Sequence, residues 1–370
     1  MNRLQALHDA GVSIWLDTLS RELLDSGDFA ELIADRVVTG ATSNPTIFAK
    51  AITGSDRYDD HLHAAVASGT REPQELFFEL ALEDIRRAAD LLRPAYEESD
   101  GRDGFVSFEC TPDLAHDTQA TIEQALELWA RLDRPNVMIK VPATEAGIPA
   151  IEELTARGVN VNITLLFSIA RYEQVIDAYL AGLERRVAAG ESVDALASVA
   201  SFFVSRVDAK TDPLLPATSG LRGRVAIANA RRAYAHYLDR FTGERWLALA
   251  DAGARRQRPL WASTGTKDPA YSDVLYVEEL IAPDVINTMP EATLRAFADH
   301  GNVSDTVSVV VGAAKATLCR AQDGGIDLDA ITAQLEREGV RSFCDSYHEL
   351  LACIESKLQA IDVSAHTLQP

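Results

Sequence analysis

Residues 137–141 read Val-Met-Ile-Lys-Val, a strand-like apolar run with a lysine inside it. Strand side chains alternate between two faces, so Val137, Ile139 and Val141 share one phase and Met138 and Lys140 the other. Similar runs flank it along the chain: Ser13–Asp17, Val38–Ser43, Gly104–Glu109, Val159–Leu165, Ala197–Phe203, Pro259–Ser263 and Asp284–Ile286. The second and the last are the weakest. Between them lie amphipathic stretches in which apolar residues recur at helical spacing, such as Ile122, Leu126 and Trp129, or Ile169, Tyr172, Ile176, Tyr179 and Leu183. A further helix carrying Ile148, Ile151 and Leu154 runs into Gly158, a residue suited to end it. This alternation continues to about Val311 and predicts a parallel sheet, either open or closed into a barrel.

No GxGxxG follows the first run and no Walker motif is present. The segment Thr-Ser-Gly-Leu-Arg-Gly-Arg (218–224) lacks the Lys-Ser/Thr of a phosphate loop and reads as a lead into a helix over Arg224–Phe241. An open nucleotide-binding sheet therefore loses support. The predicted fold is α/β, a single (β/α)8 barrel domain over residues 1–370. Additional helices are expected over 47–93 and in an extension from about 326 to 370, where Leu335, Val340, Phe343, Leu350, Leu351 and Ile354 suggest helices packed on the barrel.

In such a barrel, inward positions near the C-terminal strand ends form the active site. Lys140 then faces the interior together with Asp17, Glu109, Asn162 and Thr164. A lone Thr or Asn on a strand is ordinarily a satisfied core group, and an Asp closing a strand often caps the next turn. Lysine differs, because it is almost never fully buried unless paired or functional. An ammonium moved from water into apolar surroundings is destabilised, which leaves a neutral amine able to attack a ketone and form an imine. The protonated imine is an electron sink for breaking the adjacent C–C bond. Neighbouring carboxylates can move protons, and a hydroxyl such as that of Thr164 can position water. Lys50, Lys140, Lys210, Lys267, Lys315 and Lys357 are the lysines of the chain, and only Lys140 lies in a strand-like apolar run. Arginine cannot take this role.

Cations suited to a phosphate stand after late runs, a frequent phosphate position in this fold. Arg206 closes Ser-Phe-Phe-Val-Ser-Arg (201–206), with Ser201 and Phe203 in the inward phase. Lys267 closes Trp-Ala-Ser-Thr-Gly-Thr-Lys (261–267), which also carries Ser263 and Gly265. Either cation alone is more often a solvated surface charge.

A net charge of −21 argues against nucleic acid, whose phosphates are gripped by clustered Lys and Arg. A hydrophobic fraction of 47% suits a globular chain with a sizeable core, while no run approaches the roughly 20 apolar residues of a membrane helix. The first residues show no secretory signal, so the cytoplasm is the expected compartment. Cys110, Cys319, Cys344 and Cys353 form no CxxC pair and read as thiols in a reducing compartment. His61 and His63 do not share a helix face, and there is no HExxH, so no metal is expected. Both a monomer and a homodimer fit the sequence.

Asp17, Lys140, Asn162, Thr164 and Lys267 lie in segments that resemble those of transaldolases. Trp-Leu-Asp-Thr-Leu (15–19), Thr-Ser-Asn-Pro-Thr-Ile-Phe (42–48), Val-Met-Ile-Lys-Val-Pro-Ala-Thr (137–144) and Asn-Ile-Thr-Leu-Leu-Phe-Ser (162–168) are similar to that family's motifs, in the family's order. Ala-Ser-Thr-Gly-Thr-Lys (262–267) and Asn-Thr-Met-Pro (287–290) extend the resemblance over about residues 12–310. The inserted stretch and long tail are similar to the larger subfamily. The resemblance implies a cofactor-free enzyme of the pentose phosphate pathway acting on sugar phosphates. It would move a dihydroxyacetone unit from sedoheptulose 7-phosphate to glyceraldehyde 3-phosphate, giving erythrose 4-phosphate and fructose 6-phosphate. It implies that Lys140 carries the Schiff base, that Asp17 serves the C4 hydroxyl, and that Glu109 and Thr164 hold the water that shuttles protons. Asn44 and Asn162 would bind hydroxyls of the three-carbon unit, Ser201 and Phe203 would shape the pocket, and Arg206, Ser263 and Lys267 would bind the distal phosphate. Lys267 stands where many members carry an arginine in a shorter loop, which would make its grip a point charge and not a bidentate fork. Three rivals are weighed against this. A shorter subfamily releases free dihydroxyacetone and typically has Gln in place of Glu109. A silent sugar-phosphate-binding barrel would have no reason to keep Lys140, Asp17 and Glu109. A metal-dependent aldolase would be stopped by chelators.

Overall fold

Short β-branched runs separated by amphipathic helices can bury both faces of a parallel sheet only if helices cover the outside and side chains fill the inside. The computed structural model, which describes residues 2–35, 37–304 and 311–367, takes that solution. Strands β1 (Val12–Leu16), β2 (Gly40–Thr42), β3 (Phe105–Glu109), β4 (Val137–Pro142), β5 (Val161–Leu166), β6 (Ser198–Phe203), β7 (Arg258–Ala262) and β8 (Val285–Met289) pair in parallel, each with the next. β8 returns to β1, in register from Val12 with Val285 to Leu16 with Met289, and closes the barrel. The predicted (β/α)8 architecture is the observed one.

Three local departures have physical causes. β2 is shorter than expected because the backbone N–H groups of Val37 and Val38 are tied back to the Leu32 carbonyl. It begins at Gly40, where a Cβ would stand 2.4 Å from the buried Trp15 indole. β8 runs to Met289, past the expected end at Ile286, because Asn287 and Thr288, on opposite faces of the strand, both find polar partners. Thr264 Oγ1 donates to Asn287 Oδ1 at 2.9 Å, and the Thr288 hydroxyl lies 2.7 Å from that of Thr42. In β5 the pairing with β6 shifts between Ile163 and Leu166, and Leu165 sits at φ 57°. Strand alternation gives Leu165 the outward phase of Val161 and Ile163. The shift takes it out of that alternation.

The helices bury the faces that their periodicity marks. Ile169–Ala188 buries Tyr172, Ile176, Tyr179 and Leu183, and its N-cap Ser168 accepts a hydrogen bond from Arg171 N–H at 3.1 Å. The helix Gly147–Ala156 ends as expected, with Gly158 at φ 84° just past its cap. Each fully buried Leu or Ile on such faces contributes roughly 1.5–3 kcal/mol. The 47–93 region holds the helices Pro45–Thr53, Asp59–Ser68 and Pro73–Glu98. Phe48, Phe77 and Phe78 from this region surround Phe108 of β3, with ring centroids 5.9, 6.2 and 6.3 Å from it.

The tail forms the helix Val311–Asp323 and a second helix, Leu328–Thr367, 40 residues long. Leu335, Val340, Phe343, Leu350 and Ile354 are buried as predicted, while Leu351 is half-buried. This long helix lies at the end of the barrel where the strands terminate, beside the Pro45–Thr53 helix. The hydroxyls of Thr46 and Ser346 join the two at 2.7 Å. Among the described residues, no helix is long and apolar enough to cross a membrane.

Candidate active site

Register sets the centre of the site. Glu109 of β3 lies opposite Lys140 of β4, and Lys140 opposite Asn162 of β5. Lys140 is 4% exposed, and its Nζ donates to the Ser43 carbonyl at 3.1 Å and to Glu109 Oε2 at 3.3 Å. Burial pushes the Glu109 carboxyl above its ordinary range; the Lys140 charge opposes this and the Asp17 charge adds to it. A carboxyl in that setting holds a proton more readily and can hand it to a leaving hydroxyl.

Asp17 follows β1 and is half-buried, its N–H bonded to the Met289 carbonyl at 2.9 Å. Thr42 Oγ1 donates to Asp17 Oδ1 at 2.7 Å. The Thr42 proton is thereby used, so the Thr288 hydroxyl donates to Thr42 across 2.7 Å. This relay fixes one carboxylate oxygen and leaves the other for a reacting group.

A second relay crosses the barrel floor beneath Lys140. Ser201 Oγ donates to Asn162 Oδ1 at 2.7 Å, and Asn162 Nδ2 donates to Ser107 Oγ at 2.9 Å. Thr164 is fully buried, and its hydroxyl has no partner among the described residues. A buried hydroxyl without a partner is unusual and marks a place suited to a polar ligand atom. Asn44 caps the Pro45–Thr53 helix by accepting from Ile47 N–H at 3.0 Å, and among the described residues its amide donors have no partner.

Arg206 lies at the rim with its guanidinium 5.1 Å from the Phe203 ring centroid. Burial lowers its proton affinity and Asp17 opposes that; a guanidinium stays cationic regardless. Among the described residues it has no hydrogen-bond or ion-pair partner. Ser263, at φ 56°, accepts from Ser205 N–H through its carbonyl at 3.0 Å, and the two hydroxyls lie 2.9 Å apart. The end of β7 is thus fastened to the start of the helix that carries Arg206. Ser263 and Leu165 both hold left-handed backbone at strand ends, where strain gathers at functional sites. Lys267 is exposed and lines a groove with Ser205, Asp208, Asp212 and Tyr271.

Four contributors escaped the sequence reading. Thr42 and Thr288 orient Asp17, Ser107 supports Asn162, and Phe343 of the C-terminal helix stands 5.9 Å from Lys140 Nζ. Inward phase marked Ser107, in step with Glu109, whereas only the closed barrel brings Thr42 and Thr288 together. Among the described residues, no group of three or more His, Cys, Asp or Glu side chains is placed to hold a metal ion.

A closed parallel barrel that gathers a lysine, carboxylates and hydroxyls at its C-terminal end defines the class: a barrel enzyme. The model of the Transaldolase/Fructose-6-phosphate aldolase family matches residues 14–354. Transaldolase of Saccharopolyspora erythraea is 53% identical over 361 residues, covering 96% of this chain and 98% of that protein. Transaldolase of Thermobifida fusca is 52% identical over 363 residues, again covering 96% and 98%. Transaldolase 1 of Streptomyces avermitilis is 50% identical over 365 residues, covering 97% and 96%. The chain belongs to the transaldolase/fructose-6-phosphate aldolase family.

Proposed function

We propose that this enzyme is a transaldolase that carries a dihydroxyacetone unit between sugar phosphates as a Schiff base on Lys140. The observation that carries the reading is Lys140 itself, buried and 3.3 Å from a carboxyl whose proton affinity burial has raised. The amine adds to the ketone carbon of the donor sugar. Glu109, with Thr164 holding water beside it, gives the carbinolamine oxygen a proton, and water leaves. Asp17 takes the proton of the C4 hydroxyl, the C3–C4 bond breaks, and its electron pair moves into the iminium to give an enamine. The aldehyde departs. The enamine carbon then attacks an acceptor aldehyde, Asp17 returns the proton to the new hydroxyl, and water releases the ketose. Asn44 and Asn162 would hold hydroxyls, Ser201 and Phe203 the pocket shape, and Arg206, Ser263 and Lys267 the phosphate. The scheme uses side chains only, and takes residues 1–370 as one cytoplasmic domain, as a monomer or a homodimer.

Sedoheptulose 7-phosphate and glyceraldehyde 3-phosphate should be converted to erythrose 4-phosphate and fructose 6-phosphate in equal amounts. Free dihydroxyacetone as the main product would place the enzyme among the aldolases instead.

The two rim cations separate in expected strength. Arg206 is half-buried and, among the described residues, without an anionic partner in hydrogen-bond reach, whereas Lys267 is exposed, where charge contacts are weak. Losing one charge-assisted contact costs about 1.5–3 kcal/mol, or roughly 10- to 150-fold in affinity. Arg206→Ala should therefore raise KM for phosphorylated substrates by about that factor, and Lys267→Ala by less. The measure is kcat/KM for a phosphorylated substrate divided by that for fructose. A ratio unchanged in Arg206→Ala removes Arg206 from the phosphate site.

A further inference from the structure

The C-terminal helix is held by contacts spread around the barrel mouth. Its Ser346 meets Thr46 of the helix after β2, at 2.7 Å. His348 Nε2 lies 2.9 Å from Asp113 in the turn after β3. Lys210, on the helix that follows β6, donates to Glu338 at 2.8 Å. Arg171, on the helix after β5, pairs with Glu336 at 3.4 Å. Between these anchors the helix comes so close to the end of β5 that a Cβ on Gly339 would lie 2.8 Å from Leu165 Cδ2. Glycine at 339 and the left-handed turn at Leu165 are two halves of one close approach. One turn further along, Phe343 projects inward, 4% exposed, with its ring centroid 5.9 Å from Lys140 Nζ. One turn beyond that, Tyr347 walls the pocket that holds Asn44 and Glu109. A helix far from β4 in sequence thus supplies the apolar roof over its buried amine.

We propose that Phe343 is a specificity-determining residue: its ring roofs the three-carbon unit carried on Lys140 and keeps solvent from ending the reaction before an acceptor aldehyde arrives. This rests on the Schiff-base reading of Lys140. Once the first aldehyde has left, the enamine has two fates. In transfer, its carbon bonds to the acceptor carbonyl carbon and the carbonyl oxygen takes a proton. In release, the same carbon takes a proton, water adds to the iminium carbon, the C–N bond breaks, and free dihydroxyacetone leaves while the amine is restored. Release needs a proton donor at the enamine carbon, and an apolar ring over the amine excludes bulk water as that donor. Transfer takes its carbon from the acceptor and its proton from Asp17, and needs water only afterwards, when the ketose iminium is hydrolysed. Phe343 therefore acts on the partition between the fates, and not on imine formation.

The test measures the ratio of dihydroxyacetone released to ketol units transferred, with fructose 6-phosphate as donor and erythrose 4-phosphate as acceptor, below the unfolding temperature of every variant. Phe343→Ala should raise that ratio at least about tenfold while borohydride still traps the three-carbon unit on Lys140. Phe343→Trp should keep the ratio near wild type by keeping an aromatic roof. Gly339→Ala, which leaves the ring but lifts the helix from Leu165, should raise it less; it stands in for Phe343→Ala should that variant fail to fold. A ratio unchanged in both, with release and transfer falling together, would mean the ring is only packing and overturns the proposal. Wild-type enzyme that is not trapped on Lys140 would instead overturn the reading beneath it.

Discussion

Lys140→Arg should lose turnover by about 10⁴-fold or more in kcat/KM while the protein stays folded. The substitution keeps a hydrogen-bond donor opposite Glu109 and removes the ability to form an imine. Lys140→Ala should be equally inactive and also less stable. It leaves the Glu109 carboxyl buried without its 3.3 Å partner, and breaking a buried pair from one side costs about 3–5 kcal/mol. Arginine is thus the cleaner test of chemistry, and alanine tests the pair. Borohydride reduction in the presence of fructose 6-phosphate should label one peptide, the one containing Lys140. The other lysines offer internal controls. Lys50, Lys267 and Lys315 are exposed, Lys210 is engaged by Glu338, and Lys357 by Asp59. Label on any of these, or turnover surviving in Lys140→Arg, would remove the mechanism.

The inner half of the site could be read from the chain because a strand has a period of two. One misplaced charge in 137–141 set the phase of β4, and the same alternation carried Glu109, Asp17, Asn162 and Thr164 to the interior. Their neighbours could not be read this way. Thr42 and Thr288 look like ordinary core threonines until β8 closes against β1, since 246 positions separate them in the chain. The polar pair Asn287 and Thr288 made β8 look as if it ended at Ile286; in the closed barrel Thr264 satisfies Asn287 and the Thr42 hydroxyl meets Thr288 across the seam. Leu165 shows the opposite failure. Alternation placed it outward, but a register shift and a left-handed backbone remove it from the pattern. The tail was readable as apolar and helical, and its burial followed. What it covered was not readable, because a helix periodicity gives a face and not a destination. Lys267 and Arg206 are grouped by loop position and by the resemblance of the stretch 262–267 to the family's motif. Lys267 is exposed in a groove that also takes in Ser205, while Arg206 is half-buried against Phe203.

Asp17→Asn should leave Schiff-base formation near wild type and slow C–C cleavage by about 10²–10⁴-fold. The amide oxygen can still accept the Thr42 hydroxyl that meets Asp17 Oδ1 at 2.7 Å, so the side chain keeps its pose and loses only its capacity to take a proton. Glu109→Gln should fail earlier. Glu109 touches Lys140 directly, and its raised proton affinity suits it to protonate the carbinolamine oxygen. Without that proton, imine formation should slow by a comparable factor, again about 10²–10⁴-fold. Rapid-quench borohydride trapping separates the steps. In Asp17→Asn, trapped enzyme should appear at the wild-type rate while aldehyde release lags. In Glu109→Gln, trapping itself should lag. The pH profile gives a second reading with a fixed sign. Protonated Glu109 is the donor, so in wild type the trapping rate should fall as pH rises through its elevated range. An amide does not titrate, so Glu109→Gln should lose that limb and Asp17→Asn should retain it. Equal defects at the same step, with the limb present in both, would show that the two carboxyls do not divide the work.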